Sequence, residues 1–186
     1  MSIYSRRGDG GNTQLFGGEE VWKDAPRLEA LGCLDELNAW IGVLLVYLPW
    51  DDVREWLDQV QNDLHTIASE LASPLGEGRG AVELPAGRVE VLEQWIDRMS
   101  AQLPALHHLI RLRGSEFAAW AHVARTVCRR AERRMAPLLR QGEIREEPFR
   151  YMNRLSDFLF MLARLVNARC GTPEQAWKLS AGPEKA

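Results

Sequence analysis

The stretch His122-Val-Ala-Arg-Thr-Val-Cys-Arg-Arg-Ala-Glu-Arg-Arg134 decides how the rest of the chain is interpreted. It holds five arginines and one glutamate, a local charge of +4, in a chain whose formal net charge is −3. Arg125, Arg129 and Arg133 recur every four residues, so on a helix they lie along nearly one face. Like charges at this spacing destabilise an isolated helix by about 0.2–0.5 kcal/mol per pair. We therefore expect a carboxylate from another element, or a bound anion, to offset the repulsion.

Two interpretations of this arginine face stay open. A basic helix face is usually solvated, and nothing in the stretch alone excludes that. However, the apolar residues of this helix form only narrow strips between the arginines. Burial of these strips would also bury part of the arginine side. Planar guanidinium groups bind phosphate oxygens at several points. Our hypothesis is an anion site.

The composition is that of one soluble globular domain. The chain has 186 residues, of which 46% are hydrophobic and 26% charged. Because the basic charge is confined to one segment, we expect no nucleic-acid partner. The longest apolar candidate, residues 40–50, is too short to cross a bilayer, so we expect no membrane association. Residues 1–7 lack the apolar core of a signal peptide.

The three cysteines are widely spaced. Cys33, Cys128 and Cys170 form neither a paired disulfide framework nor a metal-binding spacing. They are therefore interpreted as reduced thiols of a cytoplasmic protein. No metal-ligating residues are predicted.

Hydrophobic periodicity predicts five helices joined by short connections. The first begins near residues 24–26 and ends at about 47, and the others span about 51–71, 86–102, 115–140 and 148–169. The predicted class is all-α: an up-down bundle of about five helices with a ferritin-like four-helix core. Residues 1–186 are expected to form a single domain, with 171–186 as a flexible tail. The predicted seam of the first helix consists of Leu31, Leu34, Ile41, Leu45 and Leu48. Apolar spacing also predicts a core face in three other helices. These faces are Leu57, Val60, Leu64, Ile67 and Leu71 in the second helix, Val89, Leu92, Trp95, Ile96 and Met99 in the third, and Met152, Leu155, Leu159, Leu162 and Val166 in the fifth.

The N-terminal residues 1–25 are polar and rich in glycine. Glycine accepts the backbone conformations that turn N–H groups toward an anion, so such a segment can wrap a phosphate. It is neither a Walker loop nor a dinucleotide fingerprint, since neither pattern is present. Composition alone favours a flexible arm.

Polar residues inside the first and last helices allow two interpretations each. Asn38 falls in the seam of the first helix, where it sets packing register or serves a site. Asp35, three residues earlier, is either solvated or the carboxylate that the arginine helix lacks. Gly32 and Gly42 each cost about 1 kcal/mol against alanine, which suggests close approach by a neighbouring backbone. The last helix carries a polar stripe for which a solvated face is the usual explanation: Asn153, Asp157 and Arg164.

Four segments in chain order resemble one known family. Residues 3–23 resemble its N-terminal nucleotide-binding signature, and residues 27–42 resemble its first bundle helix. Residues 122–133 and 153–164 resemble its two site helices. The family is the PduO-type ATP:cob(I)alamin adenosyltransferases. The resemblance implies a trimer of helical bundles that transfers the 5′-deoxyadenosyl group of ATP to the cobalt of cob(I)alamin and releases triphosphate.

The resemblance also implies site residues and partners. Arg129 would hold the polyphosphate as it leaves, and Asp35 would pair with Arg125 across a subunit interface; these three are the predicted catalytic residues. The substrates would be ATP with Mg²⁺ and cobalamin. A flavin reductase and a cobalamin-dependent enzyme are expected protein partners. The ATP site would consist of Ser5, Arg6, Arg7, Gly8, Thr13, Lys23, Arg129, Arg130, Glu132, Arg133 and Asn153.

One position departs from the family pattern. Where the family usually has a phenylalanine that covers the lower face of the corrin, this chain has Leu109. Arg111 and Arg113 replace residues of the apolar turn that follows. The smaller leucine favours an alternative function, a non-catalytic protein that binds or delivers ATP or a corrinoid.

Overall fold

Five helices build the part of the chain that the computed structural model describes, residues 3–16, 18–73 and 82–177. They are α1 (Pro26–Tyr47), α2 (Asp51–Leu71), α3 (Arg88–Ser100), α4 (Glu116–Arg140) and α5 (Glu146–Arg169). The predicted all-α bundle is confirmed. Helix α3 is two residues shorter at each end than predicted, and α5 begins two residues earlier.

Local chemistry accounts for several helix boundaries. Pro26 occupies the first turn of α1, where its missing N–H leaves no helical hydrogen bond unmade. Ser115 caps α4, because its hydroxyl oxygen accepts a hydrogen bond from the Ala118 N–H at 3.3 Å. Beyond the end of α4, Gly142 adopts a left-handed backbone with φ of 71°.

Helix α4 lies between α1 and α5, while α2 packs on α1 and α3 packs on α5. Aromatic rings link the outer helices, since Trp56 of α2 stacks on Trp95 of α3 with 5.7 Å between ring centroids. The core residues predicted for α2 are all buried: Leu57, Val60, Leu64, Ile67 and Leu71. So are those predicted for α5: Met152, Leu155, Leu159, Leu162 and Val166.

The predicted seam of α1 is wrong in part. Leu31 and Leu45 only flank the core. The buried positions recur with helical spacing instead: Ala30, Cys33, Leu34, Leu37, Ile41 and Leu44.

The apolar stretch of α1 is longer than residues 40–50, the longest apolar stretch expected from the sequence. Its 22 residues reach a mean hydropathy of 1.4 over an 18-residue window, enough by length and composition to cross a membrane. A core helix of a soluble protein meets the same criterion, and α1 packs against α2 and α4. Its outer face nevertheless remains exposed, with Val46 72% accessible.

A buried carboxylate ties three helices together. Asp63 of α2 accepts a hydrogen bond of 2.7 Å from the Arg88 guanidinium of α3. It also accepts one of 2.8 Å from the Tyr151 hydroxyl of α5. Burial and the nearby Asp63 charge raise the pKa of the Tyr151 hydroxyl, which therefore stays protonated and donates.

The composition of the N-terminal arm favoured a flexible segment, but part of the arm forms a β-hairpin. Strand β1 (Asn12–Gln14) pairs antiparallel with β2 (Glu20–Trp22), and Thr13 lies opposite Val21. The hairpin is held to the bundle, because the Phe16 N–H donates to the Ala72 carbonyl at 3.2 Å. This arm is therefore a structured element in residues 3–16 and 18–25.

The expectation of a flexible tail from residue 171 is wrong for residues 171–177. The Trp177 N–H donates to the Leu109 carbonyl at 2.7 Å, and Ile110 and Ala176 form an antiparallel bridge. Because these contacts join residues far apart in sequence, no local pattern predicts them. Residues 178–186 lie outside the described part of the chain.

Candidate functional site

The five arginines of α4 divide into two groups. Arg130 forms an ion pair with Glu36, and Arg134 lies 3.7 Å from Glu29, so both are neutralised by α1. Arg129 and Arg133 are exposed, and within the described residues neither forms an ion pair or a side-chain hydrogen bond. The face predicted from the four-residue spacing is therefore present with its charge uncompensated.

A pocket of about 600 Å³ opens beside this face. Its floor is apolar and formed by Ile96, Phe160 and Met161, while Arg125 and Arg129 lie on its wall. We call it the α4–α5 pocket. Its complete lining is Glu93, Ile96, Asp97, Arg125, Arg129, Arg154, Ser156, Asp157, Phe160 and Met161.

Within the pocket, one arginine is already neutralised. Arg154 donates to Glu93 at 3.0 Å and to Asp157 at 2.7 Å. Among the described residues, Arg125 and Arg129 thus remain as pocket cations without an ion pair, and Arg129 is the more exposed of the two. A guanidinium beside an apolar floor suits a ligand that is planar at one end and anionic at the other.

Arg125 is partly buried and incompletely hydrogen bonded. Its Nε is shielded from solvent without a hydrogen-bond partner in the described residues, and its guanidinium carbon lies 5.9 Å from the Phe160 ring centroid. Burial lowers the pKa of Arg125, and the charge of Arg129 lowers it further. A partly buried cation without a partner is destabilising, so a carboxylate beside Arg125 would relieve that cost.

That partner is not supplied from within the described chain. Asp35 is exposed on the outer face of α1 and forms no ion pair with a described residue. Asn38, one turn later, turns toward α2, where its Nδ2 lies 3.0 Å from the His65 Nε2. This contact favours the packing-register interpretation of Asn38.

The hairpin arm encloses a second cavity, of about 440 Å³. We call it the arm cavity. Four predicted ATP-binding residues line it: Ser5, Arg7, Gly8 and Thr13. Asn12, Gln14, Gly18 and Glu20 complete the lining, and the polar composition of the segment was their only signal in the sequence.

Lys23 and Arg6 lie beside the arm cavity rather than in its lining. The Lys23 ammonium donates to the Gly8 carbonyl at 2.7 Å, and a β-carbon at Gly8 would come within 2.9 Å of that nitrogen. A larger residue at this position would therefore displace the end of the Lys23 side chain and its hydrogen bond to the Gly8 carbonyl. Arg6 has φ of 60° and lies 5.4 Å from the Tyr4 ring centroid.

The structure does not bring all predicted site residues into one cavity. Asn153 is exposed on α5 and Glu132 is partly buried on α4, and neither lines the two cavities, nor do Arg130 and Arg133. Leu109 is 71% exposed on the connection before α4. In a single chain, the predicted ATP residues are therefore distributed between the arm and the helices.

The polar stripe of α5 is not a uniformly solvated face. Arg164 is only 5% exposed and pairs with Glu174 at 2.8 Å, which corrects the expectation of a solvated arginine. Phe160 and Met161 were not predicted as site residues, and their signal in the sequence is their position just off the apolar seam of α5. Ile96, predicted as core of α3, is partly buried and faces the pocket.

Residues 3–166 match the family model for cobalamin adenosyltransferase, and this range includes both cavities. The chain belongs to the cobalamin adenosyltransferase family.

The alignments of this adenosyltransferase with two relatives cover nearly the whole chain. A cobalamin adenosyltransferase of Cupriavidus metallidurans is 43% identical over 95% of this chain and 94% of its own length. A corrinoid adenosyltransferase of Bacillus subtilis is 40% identical over 97% of this chain and 94% of its own length.

A solved structure gives the same fold for the adenosyltransferase. It is a variant PduO-type ATP:corrinoid adenosyltransferase from Lactobacillus reuteri in complex with cobalamin and ATP. It superposes with a TM-score of 0.91 at 31% identity and covers 96% of this chain and 100% of the other. The resemblance noted in the sequence is confirmed.

Proposed function

We propose that this protein transfers the 5′-deoxyadenosyl group of ATP to the cobalt of a reduced corrinoid, cob(I)alamin, and releases triphosphate. The observation that carries the proposal is the uncompensated arginine face of α4 beside the apolar floor of the α4–α5 pocket. The arginine face suits the anionic phosphates of ATP, and the adjacent apolar floor suits the flat corrin macrocycle.

The reaction does not require a nucleophile from the protein. Co(I) supplies an electron pair that forms the cobalt–carbon bond at C5′ of the ribose, and the C5′–O bond breaks. The bonding pair leaves with triphosphate, so cobalt is formally oxidised to Co(III). The protein must orient C5′ toward cobalt and stabilise the charge of the leaving group.

Arg129 is the residue best placed to stabilise that charge. It lies on the pocket wall, is exposed and forms no ion pair in the described chain. Arg133 follows one turn later, so a polyphosphate chain would meet guanidinium groups in succession along about 6 Å of helix. In this proposal, Arg130 contacts the polyphosphate only when its ion pair with Glu36 breaks.

We propose that the arm binds the other part of ATP. Ser5, Arg7, Gly8 and Thr13 share one cavity, and Lys23 adds a cation at its edge. Hydroxyl groups, backbone N–H groups and a lysine are suited to phosphate oxygens. Arg6 and Asn153 complete the proposed set.

Magnesium would arrive with the nucleotide. The described residues contain no group of three or more histidine, cysteine, aspartate or glutamate side chains arranged to hold a metal ion. Mg²⁺ in nucleotide sites is usually held by substrate phosphates with one or two carboxylates, which this chain can provide without a dedicated cage. Glu132, on α4 beside the arginines, is the candidate carboxylate.

The divided ATP site supports a proposal that the active unit is a homotrimer with sites between subunits. Asp35 and Arg125 each form no ion pair in the described chain, so each is free to pair across an interface. Gly32 lies on the same exposed face of α1, and no atom of the chain lies within 4 Å of a β-carbon built there. A neighbouring subunit would provide the close approach that the glycine suggests.

Leu109 is proposed to face the lower side of the corrin. Its side chain is 71% exposed and is therefore available to contact a ligand. The reducing partner is proposed to be a flavin reductase, with a cobalamin-dependent enzyme receiving the product. The protein is proposed to act in the cytoplasm, since Cys33, Cys128 and Cys170 are unpaired thiols.

An anaerobic assay tests the function. Purified protein is mixed with cob(I)alamin and ATP, and conversion to adenosylcobalamin is followed by absorption with triphosphate measured separately. Arg129→Ala should slow turnover by about 100-fold or more, the range observed for loss of one charge-stabilising donor. Arg150→Ala is the matched control, because Arg150 is an exposed arginine that pairs with Glu147 outside the pocket.

The second candidate is a non-catalytic protein that binds or delivers ATP or the corrinoid. The leucine at residue 109 favours it. Tight binding of both ligands without formation of adenosylcobalamin would support this candidate. Turnover by the wild type that is unchanged in Arg129→Ala would contradict the assignment of Arg129.

A further inference from the structure

Residues 174–177, which follow α5, pair with the connection before α4. We call these four residues the strap. The Trp177 N–H donates to the Leu109 carbonyl at 2.7 Å, and the Arg111 N–H donates to the Gln175 carbonyl at 2.8 Å. The bridge between Ile110 and Ala176 lies between these two hydrogen bonds.

The register of this bridge sets which side chains share a face. In an antiparallel pair, directly opposed residues project to the same side, and consecutive residues alternate. Leu109 therefore lies opposite Trp177. Ile110 and Ala176 are partly buried, whereas Leu109 and Trp177 are 71% and 49% exposed. The leucine and the indole thus form one outward surface.

A buried ion pair anchors the strap to α5. Arg164 is 5% exposed, and its Nε and Nη2 lie 2.8 and 3.2 Å from the Glu174 carboxylate. The same Nη2 donates to the Pro104 carbonyl at 2.8 Å. One arginine therefore holds both the strap and the start of the connection, which places the Trp177 surface on a rigid support.

The other end of the connection is fixed as well. Asn167 of α5 is 2% exposed; its Nδ2 donates to the Arg113 carbonyl at 3.2 Å, and its Oδ1 accepts from the Ser115 N–H at 2.8 Å. The Thr172 N–H donates to the Asn167 carbonyl at 2.9 Å. Leu109 and Trp177 are consequently preorganised relative to α5, the helix that supplies the floor of the α4–α5 pocket.

We propose that Trp177 is a corrinoid-contacting residue whose indole supplies, beside Leu109, aromatic surface to the lower face of the corrin. The inference rests on the proposed function, which puts Leu109 at that face. A large aromatic side chain that is half exposed on a rigid backbone gains free energy when a flat apolar ligand covers it. Arg164 and Glu174 are positioning residues for this contact.

The experiment compares Trp177→Ala with Trp177→Phe and Trp177→Leu in the full chain. We expect the alanine variant to raise the KM for cob(I)alamin about tenfold, as for loss of one stacked aromatic contact, and to leave the KM for ATP unchanged. Phenylalanine should restore most of the affinity and leucine little of it. Val82→Ala is the matched control, because Val82 is 60% exposed and belongs to the connection that precedes α3.

A second measurement reports on the lower face directly. The absorption spectrum of bound cob(II)alamin in the presence of ATP distinguishes cobalt with and without a lower axial ligand. We expect the fraction without that ligand to fall in Trp177→Ala and to recover in Trp177→Phe. A structural role restricted to folding would lower the melting temperature without this spectral change.

The outcomes separate this inference from the proposed function. An active wild type whose cobalamin KM and Co(II) spectrum are unchanged by Trp177→Ala overturns the Trp177 contact alone. Loss of the oligomer in that variant, measured by sedimentation, assigns Trp177 to a subunit contact and also overturns it. Should the wild type not adenosylate cobalamin, equilibrium binding of cobalamin to both proteins still decides the contact, because Trp177→Ala must bind more weakly.

Discussion

Gly114 and Asn167 are in such close contact that a β-carbon at residue 114 would lie 2.1 Å from the Asn167 Oδ1. Gly114 also has φ of 147°, a backbone conformation that is nearly restricted to glycine. The asparagine hydrogen bonds on both sides of this residue, to Arg113 and to Ser115. This contact joins α5 to the start of α4 and sets the course of the connection that carries Leu109.

Replacement of Gly114 by alanine should therefore destabilise the protein by about 3 kcal/mol, from backbone strain together with overpacking. Gly87→Ala is the matched control, since Gly87 also has positive φ but has no atom within 4 Å of the β-carbon position. The strain alone should cost about 1 kcal/mol. Urea denaturation of both variants measures the difference, and equal losses would contradict the close contact.

A charge exchange tests the pairing of Asp35 with Arg125 across subunits. Asp35→Arg and Arg125→Asp should each weaken association by about tenfold or more, because each places like charges together at the interface. The double variant should recover part of the loss. Sedimentation velocity over a range of protein concentrations gives the association constants. Additive losses in the double variant would show that the two side chains do not meet.

Tyr151→Phe should reduce stability by about 1–2 kcal/mol, since it removes a hydrogen bond to the buried carboxylate of Asp63. The Arg88 contacts to that carboxylate remain, so the bundle should still fold. Tyr47→Phe serves as control, because Tyr47 is 57% exposed. The free energy of unfolding in urea is the measurement, and indistinguishable values for the two variants would contradict the prediction.

His122 should make stability depend on pH. It is 4% exposed, neither ring nitrogen has a hydrogen-bond partner in the described residues, and its ring lies 6.2 Å from that of Phe160. Burial, together with the weaker effect of the Arg125 charge, lowers the pKa of His122 to about 4, and the Glu174 charge opposes this shift.

The unfolded chain binds a proton at this residue near the ordinary pKa of about 6.5, whereas the folded chain does not. Stability is therefore fully present above that pH and falls as pH decreases toward about 4. The contribution of His122 to the slope of the free energy of unfolding against pH is at most about 1.4 kcal/mol per pH unit. His122→Asn should flatten the dependence between these limits in urea titrations. A wild-type slope that the substitution leaves unchanged would exclude His122 as its source.

Several features could be predicted from the sequence because they depend on local spacing. The 3.6-residue period locates all five helices, and the four-residue recurrence of Arg125, Arg129 and Arg133 places them on one face. The N-terminal segment and the site helices carry enough pattern to identify the family. The same local rules set the buried seams of α2 and α5, since each seam follows directly from one helix.

Other features depend on which elements pack together, and only the tertiary structure decided them. Packing against α1 neutralises Arg130 and leaves Arg129 available, although the two residues are adjacent in sequence. The α4–α5 pocket draws its lining from three helices, and the strap pairs Ile110 with Ala176, so neither leaves a periodic signal in the chain. The physical reason is that hydrogen bonds and ion pairs between distant segments depend on the burial and approach of whole helices, which local periodicity does not encode.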